Sequence, residues 1–129
     1  MRQSLHAVTL VVPDYDSAIA FYVGVLEFTL LHDIDLGGGK RWVRVAPPGA
    51  HDGSLLIARA DGADQEQAIG NQTGGRVGFF LSTDDFARDH ATMIAQGVLF
   101  EEAPRSEPYG TVAVWQDPFG NRWDLIEFV

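Results

Sequence analysis

The sequence predicts an α+β fold made of two copies of a strand, helix and strands unit in one domain, and three observations carry that expectation. The two halves match when the chain is slid by about seventy residues: HAVTLVVPDYDSAIAFYVGVLEF resembles RVGFFLSTDDFARDHATMIAQGVLF, with Asp14 falling on Asp84. In each half the apolar period changes from two to about 3.6 and back again, the mark of a strand, a helix and further strands. The composition is that of one globular domain, with 129 residues, 46% hydrophobic and 21% charged. A chain of this size buries on the order of two-thirds of its unfolded surface, so a core forms without staples. There is no cysteine, which removes disulfides, thiolate catalysis and zinc sites built on sulfur.

Val8, Leu10 and Val12 alternate with Thr9 and Val11, a β-branched run that predicts a buried first strand. Asp14 or Asp16 then caps a helix whose buried stripe is Ile19, Tyr22, Val23 and Leu26, at i, i+3, i+4 and i+7. RWVRVA and SLLIARA follow as strands around the turn residues PPGAHDG, and the glycines at 37–39 are expected at a hairpin tip between Asp35 and Lys40. DGADQEQAIGNQTGG reads as a connector with a short helical turn around Gln65 to Ile69. In the second half Val77, Phe79 and Leu81 form the strand, and Asp84 or Asp85 caps a helix with Phe86, His90, Met93 and Ile94 on its buried face. Gly97 is its left-handed stop. YGTVAVWQ, DPFGN and RWDLIEF close the chain as strand, turn and strand. The expected organisation is a single domain over 1–129, with module 1 at about 5–60, a connector at 61–75 and module 2 at 76–129. One helix covers one face of each sheet, which leaves the other face to curve around a cleft.

Charge narrows the partners. Nine Lys and Arg stand against 18 Asp and Glu, a net charge of -9, which repels phosphate backbones and anionic membrane surfaces. Neither nucleic acid nor membrane is expected as a partner. The apolar run near the N-terminus meets Pro13 almost at once, too short for a spanning helix, and the expected location is the cytoplasm.

The repeat, the opening VTLVVPDYDSAIAFY with Leu26 and Phe28, and the closing DPFGNRWDLIEF together resemble the vicinal oxygen chelate superfamily. That group contains glyoxalase I, extradiol dioxygenases, and fosfomycin and bleomycin resistance proteins. The resemblance spans nearly the whole chain and is similar to a subgroup of small bacterial glyoxalase-like proteins. It implies paired βαβββ modules, whose curved mixed sheets form a cleft, and a homodimer. It does not settle function, because the superfamily includes lyases, isomerases, dioxygenases, transferases and plain binders. One departure is structural. Where the family commonly has Gly after the first helix, this sequence has Glu27, which predicts either a strained residue at positive φ or a helix stop shifted by one.

In metal-dependent members of the family, His or Glu at four strand positions hold a divalent ion that polarises a substrate oxygen. The resemblance carries these positions to Ala7, to the neighbourhood of Ile57, to Val77 or Gly78, and to Asp124. Only Asp124 is a ligand type. His6 would join it if the first strand slipped by one residue, which would turn it to the cleft. No metal or other cofactor is therefore expected, with nickel, zinc or manganese on His6 and Asp124 as the alternative. His32 and His51 read as loop residues, and His90 as a core or interface histidine.

The remaining candidates are ligand-binding side chains. Arg44, Arg59 and Arg76 would suit a carboxylate or phosphate through bidentate hydrogen bonds, or else pair with the abundant acids. Trp42, Tyr109 and Trp115 are candidate walls for a flat or apolar ligand, whereas Trp123 should face opposite to Asp124 and belong to the core. Asn71 and Gln72 offer an amide-rich edge, Ile57 and Gly78 line the cleft, and Asp124 is a candidate general base. The expected function is that of a glyoxalase or bleomycin-resistance-like protein binding a small molecule without the family metal. A metal-dependent lyase or isomerase resembling lactoylglutathione lyase is the alternative.

Overall fold

An apolar run starts each half as a strand, AVTLVV in the first and FFLS in the second, and an aspartate follows it and caps a helix. A computed structural model describes residues 1–50 and 52–129; His51, read above as a loop residue, lies outside them. The first half runs β1 (Ala7–Val12), α1 (Tyr15–Ile19), β2 (Thr29–Gly37), β3 (Lys40–Ala46), β4 (Ser54–Arg59) and α2 (Ala63–Ala68). The second runs β5 (Phe79–Ser82), α3 (Phe86–Ala95), β6 (Leu99–Phe100), β7 (Arg105–Glu107), β8 (Gly110–Gln116) and β9 (Arg122–Phe128). The first sheet has the order β1-β4-β3-β2, with β1 parallel to β4. The second has the order β5-β9-β8-β6, with β7 also on β8 and β5 parallel to β9. Each half is thus a βαβββ module, and the chain has the mixed α+β fold that the repeat predicts. It divides into two units at Ile69 and Gly70. The helical turn expected in the connector is α2, and it packs on β1 of the first unit.

Both helix starts follow from capping. Asp14 Oδ1 accepts from the Ser17 N–H at 2.7 Å, and its Oδ2 from the Ser17 hydroxyl at 2.8 Å. Asp85 accepts from the Arg88 N–H at 3.0 Å, so Asp85 and not Asp84 is the cap of α3. The first helix then departs from the expected stripe. After Ile19 it continues as a π-helical segment over Ala20–Val25, and the buried residues are Tyr15, Ala18, Phe21 and Tyr22. A wider turn rotates the later side chains, which leaves Val23 and Leu26 only half-buried, as is Ile19 before it. In α3, Phe86 and Met93 are buried as expected, but Ile94 is 52% exposed. His90 stacks on Phe86 at 5.3 Å and meets the Phe100 ring edge-on at 4.6 Å.

In the second unit Trp123 and Leu125 of β9 and Ala113 and Trp115 of β8 are buried on one face of the sheet, and Ile126 and Val112 are buried on the other. In the first unit the core is Leu10, Val12, Val43, Val45, Leu55 and Ile57 against α1. Glu27 does take the left-handed conformation, at φ 62°. The glycines at 37–39 form the β2–β3 tip, all at positive φ. No helix among the described residues is long and apolar enough to cross a membrane.

Candidate functional site

A strand's side chains alternate between faces, so the sheet register decides which residues each helix covers and which it leaves bare. In the first unit Leu10, Ile57 and Val43 form one cross-strand row, at 0%, 1% and 0% exposure, on the helix-covered face. The adjacent row is Thr9, Leu56, Arg44 and His32 on the bare face. Arg44 is buried, and its guanidinium donates to Ser54 Oγ at 3.1 Å and through Nε to His32 Nδ1 at 3.5 Å. Trp42, 37% exposed, lies one step along the same face opposite Ile34.

Three expectations change here. Ile57 is a core residue under α1, not a lining of the bare face. Arg59 shares that parity and sits with its guanidinium 5.9 Å from the Tyr15 ring, on the helix side. His32 is a strand residue facing Arg44, not a loop residue. Sequence patterning missed it because β2 is exposed along almost its whole length and carries no clean alternation.

In the second unit Phe79, Trp123 and Trp115 form a stacked column, with ring centroids 4.9 and 5.0 Å apart. Trp115, a candidate pocket wall, is therefore core and fully buried. Trp123 is core as its parity with Asp124 requires. The neighbouring row is Phe80, Asp124 and Val114, facing away from α3. Phe80 is 64% exposed, while Asp124 is 8% exposed.

The polar surroundings of Asp124 come from a break in the sheet. Between β6 and β7 the chain leaves β8, and Glu102 fills the gap: its Oε2 accepts from the Val114 N–H at 2.9 Å. Its Oε1 accepts from Arg105 Nε at 2.7 Å, and Arg105 Nη1 reaches Glu107 at 2.7 Å. Arg122 holds Glu101 with two bonds of 2.8 Å and donates to the Gly75 carbonyl. Both guanidiniums are thus committed to other carboxylates. Asp124 Oδ1 is buried with no hydrogen-bond partner among the described residues. Burial pushes the Asp124 carboxyl above its ordinary range, opposed by Arg105, reinforced by Glu102 and opposed by Arg122. Arg122 holds Glu101 below the ordinary range, and Arg105 does the same for Glu102.

Of the other candidates, Tyr109 touches this cluster through a hydrogen bond with the Arg105 side chain, and the rest lie apart from it or serve packing. Asn71 and Gln72 are exposed in the turn before β5, where the Asn71 carbonyl accepts from Gly74 N–H. Arg76 is exposed and its carbonyl accepts from Thr73 Oγ1. Gly78 is a packing glycine, since a Cβ there would stand 2.5 Å from Thr73 Cγ2. Tyr109, 45% exposed, sits in the β7–β8 turn, where its carbonyl accepts from the Val129 N–H. Phe80 and Glu102 were not singled out from the sequence. Phe80 was readable from its parity with Asp124; Glu102 was not, because a strand break leaves no periodic signal.

The donor set does not fit the family's ion. Asp124 has Phe80 and Val114 as its cross-strand neighbours, and Ala7 pairs with Ser54 in a first unit whose fourth-strand position is Ile57. His6 precedes β1, exposed, with its carbonyl accepting from Ser54 Oγ. Among the described residues no three His, Asp or Glu side chains are grouped to hold a metal.

Two βαβββ units, each with one sheet face covered by its own helix, define the paired-module class of α+β protein. Residues 4–125 match the Glyoxalase/Bleomycin resistance protein/Dioxygenase superfamily, and the chain belongs to it. A protein of Shewanella frigidimarina is 51% identical over 98% of this chain and 95% of its own length. PA2024 of Pseudomonas aeruginosa is 30% identical over 99% and 89%. Among solved structures, UcmS2 superposes with a TM-score of 0.83 at 28% identity, covering 98% of both chains. TnmS3, an antibiotic binding protein from Streptomyces sp. CB03234, does so with a TM-score of 0.79 at 31% identity, over 99% of this chain and 98% of its own.

Proposed function

We propose that the protein binds a small, flat or largely apolar molecule on the sheet faces that its helices do not cover, without the family metal, as a cytoplasmic homodimer. The observation that carries this reading is the exposed Phe80 ring beside the buried carboxylate of Asp124, an apolar wall with one polar point. Trp42 and Ile34 give the first unit a similar apolar stretch. The similarity to an antibiotic binding protein along the whole chain supports binding over turnover. The dimer is supported by Leu30, Ile34 and Leu36 along β2, each at least 39% exposed, an apolar strand face that a second copy could cover.

Calorimetric titration with nickel, zinc and manganese, on wild type and Asp124→Ala, tests the metal-free part. No ion is expected to bind more tightly than about 1 mM, roughly -4 kcal/mol. Micromolar binding of one ion per chain that Asp124→Ala abolishes would overturn it and call for an assay with methylglyoxal and glutathione.

A further inference from the structure

The charged groups around Asp124 form a closed account except at one atom. Arg122 is committed to Glu101 and a backbone carbonyl, and Arg105 to Glu102 and Glu107. Glu102 is further tied to the Val114 N–H, so it is fixed in the strand break. Asp124 is left as a carboxylate that is more than nine-tenths buried, with Oδ1 unpartnered, on the face that α3 does not cover. An isolated buried acceptor costs about 1–3 kcal/mol, more when charged, and folding alone offers no return for it here. Its cross-strand neighbours are apolar on both sides, and one of them, Phe80, presents its ring to solvent.

The local charge has a definite sign. Glu101, Glu102, Glu107 and Asp124 surround two arginines that they already neutralise, and the chain as a whole carries -9. A ligand anion would meet no uncommitted guanidinium there. A ligand ammonium or protonated amine would give Asp124 the charge-assisted donor that it lacks, while its ring system lies against Phe80.

We infer that the second unit's sheet face away from α3, where Phe80 is exposed beside Asp124, selects aromatic ligands bearing an amine, with Asp124 accepting the amine's N–H and Phe80 holding the ring. This rests on the small-molecule reading above and names the ligand class for it.

Three matched probes test it: 9-anthracenemethylamine, 9-anthracenemethanol and 9-anthracenecarboxylate, titrated with protein and followed by anthracene fluorescence anisotropy. Wild type should bind the amine at least about tenfold more tightly than the alcohol, and the carboxylate most weakly. Asp124→Asn should remove that preference while leaving alcohol binding within about threefold. Asp61→Asn, which removes one exposed charge of the first unit, should leave the preference intact and so separates a local contact from attraction to the net charge. Thermal unfolding supplies a second readout, since Asp124→Asn should melt no lower than wild type if the carboxylate is kept for a ligand. Equal affinity for the three probes, or an amine preference that survives Asp124→Asn, overturns the inference and leaves small-molecule binding standing. A lower melting temperature with loss of all three probes makes Asp124 a structural residue and also overturns it. Failure of every probe on wild type overturns the aromatic-ligand reading together with this one.

Discussion

Glu27 ends the first helix in a conformation that favours glycine, and its side chain is exposed. Replacing it with Gly relieves the clash of Cβ with the backbone, partly offset by the greater freedom of Gly in the unfolded chain. Glu27→Gly is therefore expected to stabilise by about 0.5–1 kcal/mol, read as a higher urea midpoint at unchanged slope. The reverse case is Gly110, at φ 153°, where a Cβ would stand 2.1 Å from the Glu127 carbonyl oxygen. Gly110→Ala should cost on the order of 2 kcal/mol, measured by the same unfolding curves. Both positions show what is legible residue by residue. Glu27 and Asp124 both stood out through the family resemblance, Glu27 where the family commonly has Gly at the helix stop and Asp124 where it carries a metal-binding side chain. Ile57 and Arg59 were misassigned because parity is absolute within a strand, and a one-residue error in register reverses every face.

At the level of elements, caps and strands were readable and irregular pieces were not. Asp85 caps α3 by accepting the Arg88 N–H, one of the first-turn donors without an intrahelical partner. Asp85→Ala should lower stability by about 1 kcal/mol in chemical denaturation, with α3 fraying first in hydrogen exchange. The π-helical segment over Ala20–Val25 buries Phe21 and Tyr22 and has no signature in local propensity. The strand break between β6 and β7 is likewise a tertiary product, sealed by the Glu102 side chain. Glu102 carries a pH signature. Its folded pKa is depressed, first by Arg105, so the native state gains stability while the carboxyl is ionised in both states. That gain is lost as pH falls below the ordinary carboxylate range and through the depressed value. Glu102→Gln should accordingly flatten the acid limb of a stability–pH profile, a loss of slope seen in urea midpoints collected from neutral to about pH 3.

The whole chain was the easiest scale to read, because a duplication is visible as a pattern even where single positions are ambiguous. The unit boundary was less so: α2 belongs with the first unit by its packing on β1, although its sequence is as polar as a linker. If β2 is a contact between copies, Ile34→Glu places a charge in it. Sedimentation equilibrium should then fall from two copies of the 14.1 kDa chain to one, with circular dichroism unchanged. The aromatic column of the second unit has one more consequence. Trp115 and Trp123 lie buried with rings 16° from parallel, while Trp42 of the first unit is open to solvent. The paired indoles should give an exciton couplet in the ultraviolet and emit at short wavelength, out of reach of acrylamide. Trp42 should emit further to the red and be quenched freely. Each half of the chain therefore carries its own intrinsic optical label, and their order of unfolding can be followed in one unmodified sample.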